Sequence, residues 1–562
     1  MIRIHKIKAS RWNVNEISII AAVLMIIFRQ VITAGLPLYI RDSYFDERLM
    51  LRMAEGLISG KWLGPYDSGT LMKGAFFPIT IACTYAIGIS YLAALTAFYS
   101  AACVFFTCQV RFLFRRRFLL VILMVVLLFN PGSFACRSFQ TLYRNSLTAP
   151  QVLVIFGAVF GLWLDYGNHR WKDVVRAVIA GMMIWAFWNT REDAIWILPF
   201  LLVGFGLVVG KVCVEYRINR KVGRLITGIA IGVLPFVILS AGNGWIKYQN
   251  EKYYGAPIRL EEEDGAFADA LKAIYSVKSE KEISYVTVSK EKLDRLYEAS
   301  PTLNSIRETL DENLAIYAGV GRFPNRGETE DGWFMWALRR SVYDAGKAAS
   351  FADAQAFYRQ VTAEIKDAQN AGILKRQSTM PSALMSPWRE GYAKEMLLTY
   401  PRAVKSLLFF EGAEALPTNE LEYSKRVVNR YEAVSNTKTV RFDDTSSDAA
   451  RKGKVAAFLV NRIAIVYQFG TPAACFAALI ILMSILIFSI RKKKTEHLSY
   501  LLVNLGMGLS VMVMLTGIVY TEITAFPAIR HTYLAGAYPL TLACIVSTIL
   551  YLIDNLPGGK LK

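Results

Sequence analysis

Histidine, cysteine and acidic residues are scarce in this chain. Four His and seven Cys in 562 residues leave no cluster with zinc-ligand spacing, and so few Cys do not suit a disulfide scaffold. Cys83, Cys103, Cys108, Cys136, Cys213, Cys475 and Cys544 all fall in or beside hydrophobic segments, and the stretch 243–465 has none. That stretch must fold on its own core or by docking elsewhere. Charged residues make up 19%, with 45 Asp+Glu against 64 Lys+Arg, where average chains have roughly 25% charged residues. No internal repeat is visible. What is abundant is apolar: 54% of residues are hydrophobic and the mean hydropathy is +0.32. Such a chain has ample apolar surface to bury, which excludes disorder. A net charge of +19 raises nucleic acid as a partner, but only if the basic residues gather on one exposed face.

A bilayer core needs about 20 apolar residues in a helix. Ten segments are candidates by that measure, the fifth of them short, at roughly 17–38, 92–113, 118–135, 147–166, 174–189, 194–212, 222–242, 466–490, 499–520 and 534–553. The first is not expected to be a signal peptide, being long and lacking a small-residue cleavage site. Asn189 to Asp193 form a tight polar hairpin between the fifth and sixth. The first, second, third, eighth, ninth and tenth are expected to carry no charge at their centres, which speaks against a transporter, as does the missing repeat.

Lysine and arginine in the short loops set the orientation. With the N-terminus cytoplasmic, six cytoplasmic segments hold Arg3, Lys6, Lys8 and Arg11; Arg111, Arg115, Arg116 and Arg117; Arg170, Lys172 and Arg176; Lys211, Arg217, Arg220, Lys221 and Arg224; Arg491, Lys492, Lys493 and Lys494; and Lys560 and Lys562. Those 22 cations face six acids, Glu16, Asp165, Asp173, Glu215, Glu496 and Asp554, so these segments carry all but three of the +19. The charge is a topology signal, and no nucleic-acid partner is expected. Three of the four His (His5, His169, His497) lie on the same side. Both termini are expected in the cytoplasm, in an integral cytoplasmic (inner or plasma) membrane protein.

Two exterior segments remain. In the loop 39–91, Phe45, Leu49, Met50, Met53 and Leu57 recur at helical spacing among Asp46, Glu47, Arg48, Arg52 and Glu55, which reads as an amphipathic interfacial helix. A second interfacial helix is expected from Pro78 to about Ile89. The stretch 243–465 is too long for a structureless loop. It reads as mostly helical, for example at 289–298, 331–344 and 351–371, and is punctuated by Pro301, Pro324, Pro381, Pro387, Pro401 and Pro417. Residues 435–454 are polar and expected to be loose. Residues 455–470 read as a further interfacial helix, broken from the eighth span by Gly470-Thr471-Pro472. The fold expected is all-α: a polytopic α-helical membrane protein of about ten spans. Its parts are a membrane domain at 1–242, a mostly helical exterior domain at 243–465, and membrane helices at 466–562.

The stretch 41–78 offers the clearest chemistry. An acidic pair, Asp46-Glu47, lies just past the first span, and Lys73 follows before Pro78. A carboxylate at a membrane surface can act as general base on a hydroxyl, and a cation can hold a phosphate. Charges on an amphipathic helix are more often a solvated face. Other cations on this side are Arg137, Arg144, Arg191 and Arg530. Arg144, Arg191 and Arg530 are candidates for a phosphate. Arg137 reads better as an interfacial anchor, and Arg191 equally well as a local ion pair. Glu192, Asp193 and His531 are supporting candidates. A metal held by Asp46, Glu192 and Asp193 is conceivable but unsupported; none is expected, and no cofactor. Trp333, Phe334 and Trp336 suggest carbohydrate stacking, but aromatics at this spacing on a helix are more often core.

The residues Phe45-Asp46-Glu47 and Lys73-Gly74, with Pro78 before the second span, resemble the first exterior loop of the GT-C superfamily of polytopic glycosyltransferases. That superfamily includes protein O-mannosyltransferases and the aminoarabinose transferase of lipid A. The pattern LxxGxWLGxYxxxTLxKG from Leu57 to Gly74 is similar to a set of uncharacterised bacterial members. The resemblance covers roughly 1–242 and, more weakly, 466–562. The two prolines that follow the lysine in many relatives are absent here. The resemblance implies a cell-envelope enzyme that moves a sugar from a polyprenyl-phosphate donor to a hydroxyl on a glycan, lipid or protein. Asp46 would be the base, stereochemistry would invert, and Glu47 would support Asp46 or the acceptor. Lys73, Arg144, Arg191 and Arg530 would bind the donor phosphate. The alternatives are a flippase or transporter of a lipid-linked sugar, a non-catalytic scaffold whose exterior domain binds a partner, and a sugar-chain ligase or polymerase.

Overall fold

The computed structural model describes residues 14–168, 170–319, 327–377, 387–493 and 495–556. The expectations for Arg3, His5, Lys6, Lys8, Arg11, His169, Pro324, Pro381, Lys494, Lys560 and Lys562 lie outside the described residues.

The described chain is helical throughout, with two isolated β-bridges, Val277 with Arg376 and Ile283 with Val286. The helices are α1 (Val14–Ala34), α2 (Glu47–Ile58), α3 (Phe76–Ile87), α4 (Tyr91–Gln109), α5 (Arg117–Leu128), α6 (Arg137–Gln140), α7 (Thr148–Asp165), α8 (Arg170–Trp188), α9 (Leu198–Asn219) and α10 (Val222–Tyr254). Next come α11 (Ala266–Ser276), α12 (Lys290–Ala299), α13 (Pro301–Asn304), α14 (Arg307–Ala318), α15 (Asp331–Asp344), α16 (Phe351–Asn370), α17 (Tyr392–Leu408) and α18 (Lys425–Ser435). The chain ends in α19 (Asp448–Lys492), α20 (Leu498–Thr524) and α21 (Ala537–Asn555).

Eight of the described helices are long and apolar enough to cross a bilayer, and the pair Arg117–Leu128 and Pro131–Gln140, bent by 59°, is so only when its two pieces are taken together. The fifth expected span corresponds to α8, which is not among these helices. Its first two turns carry Arg170, Lys172, Asp173 and Arg176, which dilutes its apolar character. It nonetheless runs back along the whole of α7. Arg176 meets Asp165 at one end at 2.6 Å, and the Gln151 amide donates to Thr190 Oγ1 at 2.9 Å at the other. The protein is thus a polytopic all-α membrane protein.

Helix α7 lies at the centre, with only Trp163 and Leu164 of its residues not buried, and α4, α8 and α9 pack around it. Helix α19 is at the rim, where Phe476, Ile480, Met483 and Ile487 are exposed. Exposed apolar faces of this length suit lipid. One end of the bundle is rich in paired charge: Arg176 with Asp165 and Asp173, and Arg116 with Asp554. The other end carries the first loop.

Two expectations are corrected. The first span does hold a charge. Arg29 is fully buried in α1. Its guanidinium donates to Leu128 O and, at 3.1 Å, to Ser133 O. It also lies over the rings of Tyr99 and Phe134. Leu128 ends α5, so Arg29 caps carbonyls that the 59° bend leaves without helical partners. An arginine at membrane depth is tolerated where it is satisfied in this way. The second correction concerns Gly470-Thr471-Pro472, which does not break the chain: α19 runs on through Pro472. Neighbouring groups at membrane depth tolerate a proline in a helix, and Tyr467 Oη donates to Val126 O at 2.8 Å just before it.

Between α10 and α19, helices α11, α12, α14, α15 and α16 share one apolar core, and that core includes Phe45 and Met72 of the first loop. Arg339 of α15 donates to Ser68 O and Thr70 O, both at 2.7 Å, and pairs with Glu261. Helix α17 lies along α20, with Tyr400 Oη donating to Met512 O at 3.2 Å.

Candidate functional site

The site is built where the first loop meets the start of α7. Asp46 stands at the N-cap position of α2, and its side chain makes no cap hydrogen bond there. Its carboxylate is therefore not spent on the helix terminus. Its charge acts on Arg41, Tyr143, Arg144 and Tyr533. Glu47, one residue on, is fully buried. Arg41 is 3.5 Å from Glu47 Oε1, yet neither carboxyl oxygen has a hydrogen-bond partner. Burial and the charge of Asp46 push Glu47 up to about 7, against the pull of Arg41.

Lys73 arrives by a different route. The Arg52–Asp67 pair and the Thr70 hydroxyl, which donates to Pro65 O, hold the turn before it. Gly74 then touches the hairpin between α8 and α9: a β-carbon there would lie 2.0 Å from Asn189 O. Phe76 N donates to the same carbonyl at 3.1 Å. Only glycine permits this approach. The approach sets Glu192 beside Lys73, with Nζ 3.8 Å from Oε1. Arg144 pairs with the same oxygen from the start of the fourth span. Burial alone would push Glu192 up; Arg144, Lys73 and Arg191 together outweigh it and pull Glu192 down to about 2. Lys73 also lies 5.1 Å from the ring centroid of Trp336.

The other predicted residues sort around this centre. Arg191 pairs with Asp193 at 2.5 Å, donates to Asn145 Oδ1 at 2.5 Å and sits over Tyr533. The local ion pair is thus its main engagement, with Arg191 buried and Asp193 half-exposed. Arg530 is exposed. His531 is pushed down to about 4 by burial and by Arg137, Arg41 and Arg530, so it is neutral at neutral pH. Arg137 pairs with Glu420 at 3.1 Å, on an exposed flank. Trp336 and Phe334 are buried, Trp336 stacked on Phe45 at 4.4 Å and Trp333 on Tyr317 at 5.6 Å. Among the described residues no three His, Cys, Asp or Glu side chains gather as a metal site. Asp46, Lys73, Arg144, Arg191 and Glu192 therefore form one cluster, with Glu47 buried behind Arg41 and with Arg530 and His531 at the rim.

Four residues that interact electrostatically with this cluster escaped sequence reasoning: Arg41, Tyr143, Tyr533 and Glu262. Arg41 and Tyr143 look like ordinary loop residues. Glu262 left a signal in the acidic run Glu261 to Asp264, a few residues past α10.

No family model matches the chain, and no curated protein matches it significantly. Among solved structures it is similar to ArnT from Cupriavidus metallidurans in the apo state, with 12% identity over 82% of this chain and 79% of that one, at a TM-score of 0.30. It is similar to the same protein bound to undecaprenyl phosphate, with 10% identity over 94% of this chain and 77% of that one, again at a TM-score of 0.30. Superposition at that level is too weak to transfer a role to any residue, so the functional reading rests on the residues themselves.

Proposed function

We propose that this protein is a GT-C type glycosyltransferase that moves a sugar from a polyprenyl-phosphate donor to a hydroxyl on a glycan, lipid or protein. The observation that carries the reading is Asp46, uncommitted at the start of α2, acting on Arg144, which shares the Glu192 carboxylate with Lys73. A base and a phosphate site are what such a transfer needs. The first-loop pattern from Phe45 to Pro78 resembles that of GT-C enzymes and supports the same reading.

In the reaction, Asp46 removes the acceptor hydroxyl proton as the oxygen attacks the anomeric carbon. The bond from that carbon to the phosphate oxygen breaks, and its electron pair leaves with the polyprenyl phosphate. Attack opposite the leaving group inverts the anomeric centre. Lys73 and Arg144 neutralise the phosphate as its charge grows, and Glu192 holds both cations in place until it arrives. Glu47 sits too deep to touch an acceptor and supports Arg41. The site faces the exterior, with both termini cytoplasmic.

Purified protein in nanodiscs, given a panel of polyprenyl-phosphate sugars and mixed acceptors, checks this reading. Asp46→Asn is expected to lower transfer by at least about a hundredfold, the lower end of the usual gain from general base catalysis, with an unchanged melting curve. Wild-type turnover in that variant would remove Asp46 as base.

A further inference from the structure

Three glutamates follow α10, and two are committed. Glu261 is buried on Arg339 and accepts from Tyr66 Oη at 3.1 Å. Glu263 pairs with Arg259. Glu262, between them, is 2% exposed, and its Oε1 is shut from water with no hydrogen-bond partner. The charges acting on it are Glu192, Lys73 and Arg144 of the cluster and Glu263 of its own segment. Glu261 N donates to Leu71 O at 3.0 Å, which fixes the segment two residues from Lys73.

A buried carboxylate without a partner is costly. A second, ionised carboxylate nearby raises that cost. Burial, and then Glu192, push Glu262 up to about 8 against the pull of Lys73 and Arg144. At neutral pH it is therefore an acid with a proton to donate. A hydrogen bond from a neutral acid to an anion is short and strong, whereas a carboxylate there would repel the anion.

We propose that Glu262 is a positioning residue of the phosphate site, its neutral carboxyl donating a hydrogen bond to an oxygen of the lipid phosphate that Lys73 and Arg144 hold. This rests on the lipid-phosphate donor proposed above and adds a group contributed by the segment between α10 and α19.

The probe is undecaprenyl phosphate, titrated into the full chain in nanodiscs at pH 6.5 and 9.5. The lipid's own second ionisation affects every variant equally, so affinities are compared as ratios. Glu262→Gln keeps an N–H donor and cannot ionise. It is expected to bind within about threefold of wild type at pH 6.5, and the wild-type affinity relative to it is expected to fall about thirtyfold at pH 9.5, the change expected for a group titrating about 1.5 units below the higher pH. Glu262→Ala is expected to bind more weakly than wild type at pH 6.5 while melting at a similar temperature. A ratio unchanged between the two pH values, or wild-type binding by Glu262→Ala, overturns the inference alone. No saturable binding by any variant removes the lipid-phosphate reading as well. Undecaprenol competing as well as the phosphate overturns the phosphate contact, and inorganic phosphate competing at equal concentration overturns the lipid as its source.

Discussion

At the scale of single residues, adjacent carboxylates have taken opposite environments. Asp46 is half-buried and uncommitted, while Glu47 is sealed beneath Arg41. The folded value of Glu47, about 7, lies above its unfolded one. The folded state thus binds more protons between those values, and stability falls as pH rises from about 4.5 to 7. At about 1.4 kcal/mol per unit the change is roughly 3 kcal/mol. Glu47→Gln is expected to remove this slope: its melting temperature should change little between pH 5 and 8, where the wild type's declines. A parallel decline in both proteins would show that another group titrates. Glu192 works in the opposite sense. Its folded value near 2 means that its contribution is complete above its unfolded value and fades only as pH falls toward 2. The sequence made Arg144 and Glu192 legible because each flanks a span at the same expected face, and Asp46 and Lys73 because they lie in the loop that follows the first span. It hid Glu262, since a run of acids in a long segment looks like any solvated charge run.

At the scale of helices, α15 acts as the roof over the first loop. Trp336 stacks on Phe45 and covers Lys73, and Arg339 holds the carbonyls of Ser68 and Thr70. Trp336→Ala is expected to cost about 3–5 kcal/mol through the cavity it leaves. It also removes a cation–π contact worth about 0.5–2 kcal/mol from Lys73. Chemical denaturation should show the first loss. Weaker undecaprenyl phosphate binding, with Trp336→Phe restoring most of it, should show the second. Full binding by Trp336→Ala would mean that α15 shelters the core and plays no part at the site. Apolar periodicity made α2, α3, α12, α15 and α16 readable within a few residues. It misread 455–472, because a Gly-Thr-Pro sequence breaks a helix in water but not one held by neighbours in a bilayer. Arg29 was overlooked within an apolar run, and its partner carbonyls lie a hundred residues away at the bend after α5.

At the scale of the whole molecule, charge separates the two ends of the bundle. Asp165 and Arg176 lie about 27 Å from the cluster along α7, at 1.5 Å per residue over its 18 residues. Arg111 acts on Asp165, Arg115, Arg116 and Arg117 follow Arg111 in the chain, and Arg220, Lys221 and Arg224 lie where α9 turns into α10. Cations concentrate on the cytoplasmic side of membrane proteins, so this end is expected to face the cytoplasm and the Asp46 cluster the exterior. Helix α10 is long and apolar enough to cross once between Arg220 and the segment that carries Ser446, and α19 is long enough to return after it. A protease-cleavable tag inserted after Arg220 is therefore expected to be protected in right-side-out vesicles, and one at Ser446, which is exposed, to be cut. Cleavage of the first and protection of the second would invert the molecule and turn Asp46 toward the cytoplasm, away from a donor in the exterior leaflet. Cleavage of both would mean that α10 does not cross, and the first loop would lose the membrane face that brings Asp46, Lys73 and Arg144 to one lipid headgroup.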